Sequence, residues 1–154
     1  MAIEIERKFL VKEKPFHLEK KSLHIRQGYI VNDQKQVIRV REKGDEYFLT
    51  VKGNNNGISR LEFDFPISKE DAGELLEHFC KTAIIDKIRH YVEFKGHTWE
   101  VDEFHGDNEG LVLAEIELMS ENEDFAIPDW IGKEVTPDER YYNMNLATHP
   151  YKDW

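Results

Sequence analysis

Apolar and polar residues alternate with a period of two along most of the chain, the spacing of strands that bury one face. Eight stretches follow it: 3–11, 22–31, 36–42, 46–53, 58–65, 84–94, 97–104 and 110–119. Residues that tolerate tight or left-handed backbone separate several of them: Asn32-Asp33, Lys43-Gly44-Asp45, Gly53-Asn54-Asn55-Asn56-Gly57, Lys95-Gly96 and Gly106-Asp107-Asn108. Such short connections predict antiparallel hairpins rather than parallel crossovers. Two stretches follow helical spacing instead. Ser68 can cap a helix with Asp71 three residues on, and Ala72, Leu75, Leu76 and Phe79 mark one face. Thr136-Pro137-Asp138-Glu139 combines a cap residue, a first-turn proline and acidic positions, predicting a helix over 137–147. A short helical turn is expected near 121–126, after Ser120, and the tail from His149 to Trp154 shows no period.

The faces of these strands differ sharply in charge. Glu4, Glu6 and Lys8 share one face of the first strand, with Ile3, Ile5 and Phe9 on the other. Arg39 and Arg41 share a face, as do Thr50 and Lys52; Arg60, Glu62 and Asp64; Lys87 and Arg89; Glu100 and Asp102; and Glu115 and Glu117. Arg26 stands opposite Ile25 in the second strand. Two architectures accommodate this pattern. One is a sheet with a solvated outer face whose neighbouring charges pair. The other is a sheet curled into a barrel with the charges inside. A solvated face ordinarily mixes Thr, Ser and Gln among its charges, whereas this one is nearly pure, with basic and acidic side chains concentrated on different strands. Converging carboxylates repel unless a cation lies between them, and Mg²⁺ and Mn²⁺ prefer such oxygen-only sites. Converging Lys and Arg call for an anion, and phosphate oxygens suit the guanidinium fork. The two clusters side by side are what metal-assisted phosphoryl chemistry requires.

Composition narrows the alternatives. A chain of 154 residues favours one domain over 1–154. Its net charge of −10 argues against nucleic-acid and anionic-membrane partners. No apolar run approaches a membrane span, and the opening Met1-Ala2-Ile3-Glu4 lacks the pattern of a secretory leader. The single cysteine, Cys80, excludes an intramolecular disulfide and reads as packing at a helix end. A cytoplasmic location is expected. The seven histidines show no paired zinc-ligand spacing, and neither a P-loop nor a nucleophile elbow is present. Trp99 reads as outer-face core, and Trp130 as a clamp in a proline-containing connection. Tyr29 reads either as strand-end packing or as a cover over a barrel mouth.

The run Glu4-Ile5-Glu6-Arg7-Lys8-Phe9-Leu10-Val11 resembles the ExExK signature of the CYTH superfamily, the triphosphate tunnel metalloenzymes. The likeness continues in order through Arg26-Gln27-Gly28-Tyr29, Arg39-Val40-Arg41, Thr50-Val51-Lys52, Ser59-Arg60-Leu61-Glu62, Lys87-Ile88-Arg89, Asp102 and Glu115-Ile116-Glu117. It implies an α+β, mainly β fold: eight antiparallel strands closed into a tunnel, with helices packed outside. It implies Glu4, Glu6 and Glu117 as ligands of Mg²⁺ or Mn²⁺, assisted by Asp102 and Glu115. Lys8, Arg39, Arg41, Lys52, Lys87 and Arg89 would grip phosphate oxygens, helped by Arg26. Lys8, Glu62 and Lys87 would carry catalytic roles, Glu62 by orienting a basic neighbour or helping to hold a second metal, and Lys8 as a base only if neighbouring cations depress its pKa. The short chain is most similar to bacterial inorganic triphosphatases, which implies hydrolysis of tripolyphosphate, with nucleoside triphosphates as weaker substrates. The ending Glu134–Tyr141 fits that branch except at Glu139, where a basic residue is common, and Arg140 reads equally as a phosphate contact or as a solvated helix residue. Other activities on the same fold are a class IV-type adenylate cyclase, a thiamine triphosphatase and a non-catalytic polyphosphate-binding module. The partner expected is a small molecule containing a triphosphate; a homodimer is compatible with the sequence.

Overall fold

The computed structural model describes residues 3–33, 35–54 and 57–154. Met1, Ala2, Gln34, Asn55 and Asn56 lie outside the described residues, and with them the middle of the turn expected at 53–57. The strands are β1 (Ile3–Val11), β2 (Lys21–Asn32), β3 (Val37–Lys43), β4 (Glu46–Lys52), β5 (Ser59–Pro66), β6 (Ile85–Phe94), β7 (His97–Phe104), β8 (Val112–Glu117) and β9 (Ile131–Glu134). Their order is β5-β4-β3-β2-β6-β7-β8-β1-β9, and β5 also pairs with β1. That last pairing closes β1 to β8 into an eight-stranded antiparallel barrel. β1 makes the closure by dividing one edge: Ile3–Ile5 pairs with β5, while Phe9 and Val11 pair with β9. Its other edge pairs with β8 from Glu6 to Leu10.

The eight expected strands are all present, within one or two residues at most ends. β9 was not anticipated: at four residues, with Gly132 inside it, it is too short to show alternation. The β6–β7 hairpin turns through Lys95 and Gly96, both at positive φ (45° and 85°), a geometry that only glycine adopts without strain.

The barrel reverses the usual arrangement, with charge inside and apolar packing outside. Over β1, β7 and β8 the outer cover is aromatic. Trp99, fully buried, stacks edge-on against Phe9, Phe125 and Trp130. This matches its reading as outer-face core. The segment carrying Phe125 and Trp130 covers this face without the helical turn expected at 121–126. Over β2, β3 and β4 the cover is helix α1 (Lys69–His78). Ser68 caps it by accepting from the Asp71 N–H at 3.0 Å, and Ala72 is its fully buried contact. Gly28 is what lets the end of this helix approach β2, because a Cβ there would stand 2.8 Å from Cys80 Sγ. Cys80 itself is half-buried.

The second predicted helix is broken. A 3₁₀ turn over Glu139–Tyr141 is followed by Tyr142 in extended backbone and then by α2 (Asn143–Leu146). Asp138, not Thr136, is the cap, accepting from the Arg140 N–H. Thr136 is instead stitched to β1: its hydroxyl accepts from the Lys8 N–H at 3.0 Å and lies 2.6 Å from Glu134. A continuous helix would need backbone carbonyls that the barrel has taken. Lys8 Nζ donates to the carbonyl of Tyr141, and Asn32 Nδ2 to that of Met144. This segment therefore lies across one end of the barrel instead of packing alongside it. Among the described residues no helix is long and apolar enough to cross a membrane.

Candidate active site

The strand order fixes the electrostatics of the interior. In a ring of eight, the strand opposite β8 is β3, four places away in either direction. Glu115 and Glu117 on β8 therefore face Arg39 and Arg41 on β3 across the lumen. By the same count β6, with Lys87 and Arg89, faces β5, with Glu62. The register places Glu6 directly beside Glu117, Lys8 beside Glu115, and Glu100 beside Glu115. A wall of carboxylates thus runs along β1, β8 and β7, and a wall of cations along β3, β4 and β6. They enclose a cavity of about 260 Å³.

Each wall is under electrostatic stress that the opposite charge would relieve. Burial, and then the neighbouring Glu4, push the Glu6 carboxyl above its ordinary range. Burial and Glu6 do the same to Glu115, and burial with Glu100 to Glu117. Glu4 runs the other way: burial would raise it, but Lys52, a hydrogen bond with Glu6 and Arg39 together lower it. On the basic wall, burial and then Arg39 pull the Lys52 ammonium down to about 8. Burial with Arg39 and Arg89 lowers Arg41 as well. Like charges crowded in a low-dielectric enclosure weaken one another's ionised forms. A bound anion between the cations, with a cation between the carboxylates, removes both penalties.

The structure separates the sequence-predicted residues into three groups. Glu4, Glu6, Lys8, Arg39, Arg41, Lys52, Glu62, Lys87, Arg89, Glu115 and Glu117 all line the cavity. Glu62 stands 3.3 Å from Lys52 and 3.7 Å from Arg39, bridging two cations of the wall. Asp102 is on the inner face but does not reach the cavity surface. It is 1% exposed, and both oxygens are taken: Arg89 grips it through two nitrogens at 2.8 and 2.9 Å, and Lys87 Nζ is 2.8 Å away. Burial would raise this carboxyl, but Arg89 and then Lys87 hold it far below the usual range. Asp102 is therefore a counter-ion beneath the basic wall, both of its oxygens engaged by cations and neither lining the cavity. Arg26 is on the outer face, half-exposed, with Glu42 at 3.3 Å. Ile25, Gln27 and Tyr29 hold the inner face of β2, so alternation turns Arg26 outward.

Lys8 stays a cation. Burial lowers its proton affinity, but Glu115, Glu6 and Asp102 together raise it above the ordinary lysine range. Its ammonium lies 3.0 Å from the Tyr141 carbonyl and 3.5 Å from Glu115. Arg140 does not enter the cavity; it pairs with Asp138 outside and lies over the rings of Tyr141 and Trp154. Tyr29 is 2% exposed and lies in the cavity wall, its hydroxyl accepting from Gln27.

The sequence missed several neutral residues of the site. Gln27, Thr136, Tyr142 and Asn143 all reach it or its cations. None is charged, and three come from a C-terminal segment whose path depends on contacts with distant strands.

The acidic wall suits a hard divalent cation by its donor set, which is carboxylate oxygen throughout. Glu4 Oε2 is buried and accepts no hydrogen bond, with Lys52 Nζ 3.5 Å away. A buried oxygen without a hydrogen bond has a lone pair free to meet a cation. Among the described residues no three carboxylate, imidazole or thiol groups converge at coordination distance.

The pattern of the CYTH domain matches residues 2–151, and the chain belongs to that family. It is 51% identical to an inorganic triphosphatase of Acetivibrio thermocellus over 154 residues, covering 100% of this chain and 99% of that one. It is 37% identical to an inorganic triphosphatase of Nitrosomonas europaea, covering 94% and 96% of the two chains. A crystal structure of an inorganic triphosphatase superposes with a TM-score of 0.68 at 34% identity, covering 96% of this chain and 95% of that one.

Proposed function

We propose that this chain is a divalent-metal-dependent triphosphatase that hydrolyses inorganic tripolyphosphate inside the barrel. The observation that carries the reading is the opposition of β8 to β3, which sets Glu115 and Glu117 across from Arg39 and Arg41. A triphosphate carrying a metal ion is the ligand that satisfies both walls together. The relatives' names agree with that chemistry.

Arg39, Arg41, Lys52, Lys87, Arg89 and Lys8 bind the phosphate oxygens. Glu62 holds Lys52 and Arg39 in place by bridging them. Glu4, Glu6 and Glu117 hold the metal, with Glu115 assisting. Mg²⁺ and Mn²⁺ both suit these ligands, and when bound the ion supplies charge neutralisation and polarisation of the terminal phosphoryl group. Water attacks the terminal phosphorus, the bond to the bridging oxygen breaks, and pyrophosphate leaves. The proton released by the water passes to a carboxylate of the acidic wall, which is in place to receive it. The cations opposite neutralise the charge that builds up on the leaving bridging oxygen.

The cavity favours an inorganic substrate over a nucleotide. At about 260 Å³ it lies just below the usual span of ligand sites, roughly 300 to 1,000 Å³. Among the described residues its aromatic lining is Tyr29 and Tyr142, and the Tyr29 hydroxyl is held by Gln27. A cyclase would also need a ribose hydroxyl aligned on the inner phosphate. Phosphorus NMR of tripolyphosphate incubated with the protein and Mg²⁺ tests this reading. It expects one orthophosphate and one pyrophosphate per substrate consumed. Unchanged tripolyphosphate over hours would overturn it.

A further inference from the structure

Two side-chain amides, which the reaction as described leaves idle, contact the basic wall, Gln27 from behind it and Asn143 from the cavity lining. Gln27 is 0% exposed, deep on the inner face of β2. Its Oε1 accepts from Arg41 Nε at 2.7 Å, and its Nε2 faces Tyr29 Oη at 3.0 Å and Asn143 Oδ1 at 3.4 Å. Asn143 Oδ1 in turn accepts from Lys87 Nζ at 2.8 Å. The orientation of both amides follows from Arg41: a guanidinium can only donate, so Gln27 turns its oxygen toward Arg41 and its NH₂ toward Asn143, which must then present its oxygen. The chain Arg41–Gln27–Asn143–Lys87 therefore joins β3, β2, the C-terminal segment and β6 through one continuous hydrogen-bonded line.

An amide oxygen orients a cation as a carboxylate does, but leaves its charge uncancelled. The contrast lies within the same wall. Arg89 is fixed by Asp102 and Glu100. Lys87 shares that same Asp102 with Arg89 and takes Asn143 as its second partner. Lys8 likewise takes a backbone carbonyl, that of Tyr141. We propose that Gln27 and Asn143 are positioning residues: Gln27 holds Arg41 with a neutral acceptor, so that its positive charge remains available to the substrate's phosphate oxygens, and Asn143 gives Lys87 a neutral second partner where a second carboxylate would cancel more of its charge. The proposal rests on the reading of the barrel as a triphosphate site. It also gives the broken C-terminal helix a purpose, since Asn143, which follows the extended Tyr142, supplies the contact to Lys87.

The test separates geometry from charge. Gln27→Glu and Asn143→Asp keep shape and acceptor but add a negative charge beside the cation. Asn143→Ala removes the acceptor and adds no charge. Metal-free binding of tripolyphosphate is measured by calorimetry in chelator, and KM and kcat are measured with Mg²⁺, with thermal melts showing that each variant folds. The acidic variants are expected to raise both Kd and KM by about tenfold or more. Asn143→Ala is expected to lower kcat with a much smaller change in Kd. Acidic variants that fold and bind as tightly as the parent would overturn the proposal. So would an alanine variant that binds as weakly as the aspartate, since the residue would then act by filling space. Should one acidic variant fail to fold, the other carries the test. If the parent protein binds tripolyphosphate without hydrolysing it, the triphosphatase reading fails while the charge argument is still decided by Kd; if the parent does not bind it, both fail.

Discussion

The ammonium of Lys8, near the start of the chain, donates to the backbone carbonyl of Tyr141, 133 residues later, at 3.0 Å. That contact ties the first strand to the segment closing one end of the barrel. It also explains why Lys8 is a poor base. An ammonium that is donating to a carbonyl and flanked by Glu115 is held in its charged form, and in the proposed reaction it binds phosphate.

Replacing Glu6 with Gln should uncouple stability from activity. The carboxyl is raised by burial and by Glu4, so the uncharged amide relieves repulsion in the metal-free protein. In chelator the variant should melt at the same temperature as the parent or higher. Its Mg²⁺-dependent phosphate release should fall by roughly 100-fold or more, since loss of even an outer partner of a metal ligand costs about 10- to 100-fold. A variant that keeps parental turnover would remove Glu6 from the metal site.

Asp102→Ala should be strongly destabilising. It leaves Arg89 and Lys87 buried without their shared counter-ion, and breaking a buried ion pair from one side costs about 3–5 kcal/mol. Urea or thermal unfolding measures this. A loss below about 1 kcal/mol, the range of exposed pairs, would show that the cluster is not the buried anchor described here.

Asp102 also sets a pH dependence. Its folded pKa is depressed by Arg89 and Lys87 despite burial, so its contribution to stability is full above the unfolded carboxylate value, about 3.9. That contribution is lost progressively as the pH falls from there toward the lower folded value. Asp102→Asn should flatten the acid limb of a stability–pH curve relative to the parent. Parallel curves for the two proteins would contradict the assignment.

Arg41→Ala should raise KM for tripolyphosphate by about tenfold or more, as loss of a charge-assisted contact made to the bound substrate. Arg26→Ala should leave kcat/KM within about twofold. Its pairing with Glu42 lies outside the barrel, and loss of an exposed pair is worth less than about 1 kcal/mol. A large KM effect at Arg26 would place it in the site after all.

Most of the barrel was legible because period-two alternation survives in the sequence: Glu4, Glu6 and Lys8 share a face whatever encloses them. Closure was not legible from alternation, since a solvated sheet and a charged lumen share one pattern. It was the family likeness that pointed to a tunnel. The same rule could have corrected Arg26. Ile25, Gln27 and Tyr29 share the inner face of β2, so the residue between the first two must point outward. The inner position of Asp102 was legible, but its role was not. Its two oxygens are used up by Arg89 and Lys87, a fact of three-dimensional register between β6 and β7. The C-terminal segment was the least legible part. Thr136, Pro137 and Asp138 carry good helix-start signals, and they were overridden by hydrogen bonds from Lys8 and Asn32 on distant strands.

The most direct test of the central claim is phosphate release from tripolyphosphate, ATP and thiamine triphosphate in parallel, each with Mg²⁺, with Mn²⁺ and with EDTA. The account predicts rapid release from tripolyphosphate with a divalent ion, little from the two organic triphosphates, and none in EDTA. Release from tripolyphosphate that persists in EDTA would contradict the metal-bearing acidic wall. ATP consumed faster than tripolyphosphate, with cyclic AMP and pyrophosphate as products, would contradict the hydrolase and favour a cyclase built on the same barrel.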